Sequence, residues 1–356
     1  MDTRLLTSKR HYTLGGKMKA VVIEKVNELK MYDKEVPVLT TEDDIIVRIT
    51  LTAICGTDIR MLKGLHEHKF GTILGHEGVG VVEKVGNNVK NLQVGDRVFV
   101  DPTMNCGTCY YCKKGMHNLC DNLAGLEVGV DMDGTFAEFI RMPKDFVYRI
   151  PDTMSDEAAV LVEPLACVLN NVKLCSLDVD DVVVVLGAGP IGALFGMVAE
   201  RVARKTVVVE RDERRLRFLR KHYKNVVDSS KDNWEEEILK LTNGEKPTVV
   251  LDANGKSCDD ALKVVGKGGR VVLMGYDSSN YSTIHTSTII GKAIKILGGS
   301  DYSDMFFQAI EVGESYDLGK FVTHKFKLDD YADAFDLILN QDKEPDCELM
   351  KVCFEL

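Results

Sequence analysis

The chain has 356 residues, 45% hydrophobic and 28% charged, with a formal net charge of -10. That length suits two domains of ordinary size, each large enough to bury a core. The acidic balance and the lack of any long basic block argue against non-specific binding to nucleic acid or an anionic membrane. The mid-chain apolar run VVVVL at 182–186 is far too short to cross a bilayer.

Residues 1–17, MDTRLLTSKRHYTLGGK, carry basic side chains but no apolar stretch of the length a secretory signal needs. They read as an N-terminal extension, since strand texture starts at Met18 with MKAVVIE. The expected compartment is therefore the reducing cytoplasm, where ten cysteines are thiols or metal ligands rather than disulfides. From Met18 to about Pro151, short alternating or apolar runs such as DIIVRITLTAI, EGVGVVEKVG, DRVFV and FAEFIRMP are broken by glycines. Period-two runs with turn residues between them predict a compact, mostly β domain.

Inside that part, Cys106, Cys109, Cys112 and Cys120 fall at spacings of two, two and seven intervening residues. Gly107, Gly115 and Asn118 loop the backbone so that four sulfurs can face one tetrahedral ion. Zinc on four thiolates is a closed, structural arrangement with no open position; an iron–sulfur cluster also takes four cysteines, and unliganded thiols in a loop are the plain alternative. The spacing and the reducing compartment favour zinc.

Near Ser155 the texture changes to helical spacing in SDEAAVLVEPLACVLNNVKLC, with a capping serine and two acids in the first turn. Pro164 predicts a fresh helix start near Glu163. After Asp181, strands and helices alternate: VVVVL, KTVVVE, NVVD, TVVLDA, RVVLMG and IKILGG with helical stretches between most of them. This is the α/β pattern of a parallel sheet covered on both faces. A helix around MFFQAIEVG, a strand at HKFKL, the amphipathic DDYADAFDLILN and a last strand LMKVCFEL complete the chain.

GAGPIG, comprising Gly187, Ala188, Gly189, Pro190, Ile191 and Gly192, follows a strand and opens a helix, with Glu210 ending the next strand. These are the parts of a dinucleotide fold: glycines for the turn and for close approach of a pyrophosphate, and a helix N-terminus facing phosphate. Glu210 would accept from ribose hydroxyls and repel a 2′-phosphate, favouring NAD over NADP; the neighbouring Arg211 would serve a phosphate. Cys55 in ICGTD and His76 in GHEGVG are zinc-type ligands, Glu77 and Glu163 offer carboxylate oxygens, and Asp58 stands where it could orient His76.

CGTD, GHE, the four-cysteine lobe, VEPLA and GAGPIG, in this order, resemble the zinc-dependent medium-chain dehydrogenases, nearest the polyol and threonine dehydrogenase branch. The resemblance implies a GroES-like, mostly β catalytic domain at 18–164 and 302–356, with a Rossmann cofactor domain at 165–301 and the active site in the cleft between them. It implies a catalytic zinc on Cys55, His76 and Glu163, with Glu77 in or just behind its coordination sphere, and a structural zinc on the four cysteines. Thr57 would pass the alcohol proton onward. The implied reaction is hydride transfer between a secondary alcohol of a polyol, sugar or cyclitol and NAD, giving a ketone. An amino-alcohol dehydrogenase, a zinc-free reductase of the same fold and a non-catalytic binding protein are the alternatives; the intact ligand set speaks against the last two.

Two positions depart from the pattern. Arg60 replaces a relay histidine and cannot exchange a proton usefully near neutral pH. Asp301 and Tyr302 stand at a substrate-contacting position where polyol dehydrogenases carry Arg–Tyr. An anion there would suit a substrate amine or hydroxyl donors, or Asp301 would simply cap the helix that follows. His66, His68 and Lys69 border the cleft or form a solvated loop. KAIKILGG, 292–299, is expected at the sheet edge, which in the family joins subunits and implies a homodimer or homotetramer.

Overall fold

The computed structural model describes residues 16–340 and 342–356. The expected 1–17 extension thus lies outside the described residues apart from its last two, and Lys17 already opens the first strand. β1 (Lys17–Lys25) and β2 (Glu28–Glu35) form an antiparallel hairpin. β3 (Asp44–Ala53) precedes α1 (Gly56–Leu62), and β4 (Glu77–Val85) and β5 (Arg97–Val100) follow. After α2 (Tyr110–Lys113) come β6 (Phe139–Pro143), β7 (Val147–Arg149), α3 (Asp156–Ala159) and α4 (Val162–Leu174).

The alternating segment runs β8 (Val182–Leu186), α5 (Pro190–Val202), β9 (Lys205–Glu210), α6 (Glu213–His222), β10 (Val226–Asp228) and α7 (Trp234–Leu241). It continues with β11 (Val249–Asp252), α8 (Cys258–Val264), β12 (Arg270–Leu273), α9 (Thr286–Lys292) and β13 (Lys295–Gly298). α10 (Phe306–Glu314), β14 (Val322–Lys327), α11 (Tyr331–Leu339) and β15 (Lys351–Glu355) end the chain.

Two larger sheets result. The first is ordered β14-β15-β3-β4-β5-β7, with β6 also pairing β3, so the last strands return to the N-terminal part as the texture of the sequence suggests. The second is the parallel sheet β10-β9-β8-β11-β12-β13, with β13 at one edge. Its order reverses around β8, the switch point at which doubly wound sheets take their ligands. The valines of β8 explain the two-sided burial: Val183 and Val185 pack into one apolar cluster, Val184 and Leu186 into another on the opposite face. The first of those clusters continues through Leu165 and Val168 of α4 and Phe306 and Ile310 of α10 to Phe99 of the other sheet. One core therefore welds the two sheets together beneath the cleft.

α4 does start afresh at Val162, with Pro164 in the first turn, where its missing N–H costs no hydrogen bond. The expected boundary between 164 and 165 falls inside this helix, which carries Glu163 at one end and Asn171, holding the backbone of Ser300, near the other. Asp301 does not cap α10: the cap position is Met305, which makes no side-chain cap bond. Among the described residues no helix is long and apolar enough to cross a membrane.

Candidate active site

A cleft of about 780 Å³ opens between the sheets. Cys55, Thr57, Arg60, His76, Glu77, Glu163 and Asp301 line one part, and Gly187, Gly189, Pro190, Ile191, Gly192 and Arg215 another. The metal-type ligands come from three separate elements. Cys55 caps α1, His76 and Glu77 stand where β4 begins, and Glu163 lies in the first turn of α4. Asp58, fully buried, accepts from the backbone N–H of Cys55 at 2.8 Å and of Gly75 at 3.3 Å. It thereby fixes the two ligand-bearing turns against each other. Its carboxylate lies 3.8 Å from His76 Nδ1, too far for a hydrogen bond, so it places the ring through the backbone instead of gripping it.

The donor atoms of Cys55, His76 and Glu77 lie within 4.8 Å of one another. His76 is 8% exposed and its Nδ1 has no hydrogen-bond partner. Burial opposes charge on this imidazole, yet the Cys55 sulfur and the Asp58 and Glu163 carboxylates outweigh it and push its pKa well up. So much negative charge around one ring suits a divalent cation, and a thiolate–imidazole–carboxylate set is of the type zinc takes. Glu163 lines the same cleft but stands outside this compact trio, accepting from Cys167 Sγ at 3.5 Å. Burial, then the charge of Glu77, push the Glu163 pKa up to about 8.

Thr57 Oγ1 lies 3.9 Å from Cys55 Sγ and accepts from Arg60 Nη2 at 3.2 Å. Asp301 opens onto the cleft and is solvent-exposed as a residue, while desolvation at the wall pushes its carboxyl up. Glu127 lines the same wall, raised to about 7 by burial and then by Asp301 and Asp131. Tyr302 points the other way. It is 4% exposed, and its hydroxyl donates to Asp101 at 2.9 Å and lies 3.1 Å from the Thr103 hydroxyl, so the expected substrate contact is replaced by a core position. His66 lines the cleft; His68 packs its ring on Phe70 instead.

The four-cysteine lobe also suits a metal. The sulfurs of Cys106, Cys109, Cys112 and Cys120 lie within 4.8 Å of one another. Backbone N–H groups of Cys106, Cys109, Cys112 and Asn122 point at Cys120, Cys106, Cys109 and Cys120 sulfurs respectively, at 3.4–3.5 Å. Such donors favour thiolates, and hydrogen bonds, led by that from Thr108, bring the Cys106 pKa down to about 5. The lobe docks beside the substrate wall: Ser303 Oγ accepts from His117 N at 2.9 Å and donates to Gly115 O at 2.6 Å.

At the glycine loop, Gly187 takes a φ of +85°, and a side chain at Gly192 would place Cβ 2.1 Å from Gly187 O. Both positions require glycine. Glu210 accepts from the N–H groups of Arg211 at 2.7 Å and Asp212 at 3.1 Å, while its other oxygen has no hydrogen-bond partner. Arg211 itself is exposed and away from the cleft. The guanidinium at this place belongs to Arg215, with Nη1 3.5 Å from Glu210 and 3.2 Å from where a Gly189 Cβ would stand. Helical geometry would have flagged it: Arg215 lies in the first turn of α6, whereas Arg211 precedes the helix.

Residues 41–152 match the alcohol dehydrogenase GroES-like domain, and residues 190–315 match the zinc-binding dehydrogenase domain. Sorbitol dehydrogenase of Bacillus subtilis is 30% identical over 92% of this chain and 95% of its own length. L-threonine 3-dehydrogenase of Anaeromyxobacter is 32% identical over 90% of this chain and 95% of its own. The chain belongs to the zinc-binding medium-chain dehydrogenases. Among solved structures, Escherichia coli RspB, described as a short chain alcohol dehydrogenase complexed with NADH, superposes with a TM-score of 0.86. That match is at 31% identity over 96% of this dehydrogenase and all of the other chain.

Besides Arg215 and Glu127, a third residue of the dehydrogenase site carries no mark in the sequence. Lys351, at the start of β15, donates to Glu77 Oε1 at 2.6 Å, and the side chains are 2% and 1% exposed. Burial disfavours its ammonium, but Glu77 more than compensates and pushes its pKa up. Removing one member of such a pair strands the other charge in the interior. Lys351→Met is expected to lower stability by about 3–5 kcal/mol in denaturant unfolding, while Lys351→Arg keeps most of it. A loss below about 1 kcal/mol for Lys351→Met would mean that Glu77 accepts a proton instead of standing as a charge.

Proposed function

We propose that this dehydrogenase oxidises a secondary alcohol of a polyol, sugar or cyclitol to the ketone, with NAD as hydride acceptor. The observation that carries the reading is that the Cys55–His76–Glu77 donor set and the 187–192 glycine loop open onto one cleft. Zinc held there, with Glu163 beside it, supplies a Lewis acid that lowers the pKa of the substrate hydroxyl, and the nicotinamide supplies the acceptor. Thr57 accepts the hydroxyl proton on Oγ1. Arg60 already donates to that oxygen and cannot take up a proton, so Thr57 hands its own proton to water at the cleft mouth. The walls hold the carbinol carbon facing the cofactor, which saves the entropy of a free encounter. The cytoplasm suits ten free thiols, and the exposed edge of β13 offers a pairing surface to a second copy.

The two metal sets should separate on mutation. Cys55→Ser is expected to abolish turnover while leaving the fold and the lobe metal intact. Cys112→Ser is expected to lower the melting temperature and cost one zinc per chain. Metal analysis that finds iron, or no metal in protein prepared without chelator, would overturn both expectations.

Glu210 gives the cofactor preference. Its free oxygen would accept from the ribose hydroxyls of a bound cofactor, and its charge offsets Arg215 3.5 Å away, so NAD should outperform NADP. Glu210→Ala frees Arg215 for a 2′-phosphate and should shift the ratio of kcat/KM toward NADP by about tenfold or more, ~1.4 kcal/mol. Equal rates with the two cofactors in the parent enzyme would refute this assignment.

A second reading, an amino-alcohol or aminocyclitol substrate, is favoured by one feature. Asp301 and Glu127 share the substrate wall, and among the described residues no Lys or Arg pairs with either. The fixed cations of the cleft are committed elsewhere: Arg60 to Thr57, Arg215 to Glu210, Lys351 to Glu77. Two neighbouring carboxyl groups with no fixed cation, Glu127 raised to about 7 by burial and then by Asp301, would be held ionised by a cationic group on the ligand. Asp301→Asn and Glu127→Gln should each cut kcat/KM on amino alcohols far more than on neutral polyols. Equal losses on both substrate types would return the reading to polyols.

A further inference from the structure

Away from the cleft, His324 on β14 faces the segment that leads from α11 back to β15. Its Nδ1 lies 3.1 Å from Thr323 Oγ1. That hydroxyl donates to Lys351 O at 3.3 Å and accepts from Met350 N at 3.0 Å. With the hydroxyl proton used, Thr323 offers the ring only a lone pair, so Nδ1 carries the imidazole proton and Nε2 the lone pair. Nε2 points at Glu344 Oε2, 3.8 Å away. A turn closed by Cys347 N on Glu344 O at 3.0 Å sets the carboxylate and the thiol side by side. The ligand atoms of His324, Glu344 and Cys347 all lie within 4.8 Å of one another.

An imidazole lone pair facing a carboxylate oxygen is repulsive unless a cation sits between them. A proton fills that role poorly, because at 3.8 Å the two atoms stand beyond hydrogen-bond distance. The adjacent guanidinium of Arg214 does not fill it either. It is spent on Asp212 at 3.4 Å and on the carbonyls of Leu337, Asn340 and Lys343 at 2.8, 3.4 and 3.3 Å. We propose that His324, Glu344 and Cys347 form an additional, exchangeable site for a thiophilic divalent cation, zinc or cobalt in its place. Nitrogen, sulfur and carboxylate donors suit such ions and not magnesium or calcium. Three protein ligands leave a position for water, and Glu344 is solvent-exposed, so the ion can come and go. Binding releases the thiol proton to solvent and ties the returning segment to β14. That segment runs directly into Lys351, so occupancy stiffens the strand that holds the Glu77 counterion.

The test is cobalt titration of the full-length protein with its tightly bound metals in place, after brief exposure to a weak chelator. The parent should take up one further equivalent with a thiolate-to-cobalt charge-transfer band. Cys347→Ser should lose the band, and His324→Gln and Glu344→Gln should each weaken uptake at least about tenfold, with circular dichroism and tightly bound metal unchanged. A band that persists in Cys347→Ser, or no further equivalent in the parent, would overturn the site and leave a histidine–carboxylate pair only.

Discussion

The dehydrogenase gathers Cys55, Asp58, Glu77 and Glu163 around a single imidazole, two of them fully buried and two half-buried, and the surrounding structure answers that concentration of negative charge. Anions removed from water must be paired, protonated or bound to a cation. The chain deals with each differently. Asp58 is tied to backbone N–H groups, Glu77 to Lys351, and Glu163 is pushed toward its protonated form. Cys55 and His76 are left facing each other with no fixed partner. The imbalance is what makes the place a metal centre and not merely a polar spot in the core.

The same logic explains the connectivity. Lys351 lies 274 positions from its partner, so the pair forms only when the last strand joins the sheet beside β3. The chain must leave to build the parallel sheet and then come back before Glu77 has its counterion. The welded core beneath the cleft, from Leu165 through Phe306 to Phe99, keeps the two halves in register while it does so.

Much of this was legible in the sequence, for physical reasons that also mark its limits. Cysteine spacing reports a metal lobe because ligands close in the chain can surround one ion without help from a distant segment. The glycine loop is legible because Gly187 and Gly192 leave no room for a side chain. The alternating β and α textures and the return of the tail follow from hydrophobic period, whereas the edge position of β13 is what the family resemblance implies. What escaped depends on where a side chain turns. Asp301 and Tyr302 are neighbours, yet one opens to the cleft and the other enters the core. Arg211 and Arg215 both follow Glu210, and only the helix decides which faces it. Lys351 reads as the polar face of a strand, since nothing local announces a partner so far away.

The docking of the cysteine lobe carries a consequence beyond its own stability. Through Ser303, which joins Gly115 to His117, and through Asn118, whose amide reaches the carbonyl of Asp301 at 3.4 Å, the lobe braces the chain that forms the substrate wall. Its four sulfurs are easily oxidised once a metal leaves them. Oxidative damage at a place that takes no part in hydride transfer would therefore reach the enzyme as blurred discrimination between alcohols. A thiol lobe of this kind links selectivity to redox conditions from outside the catalytic centre.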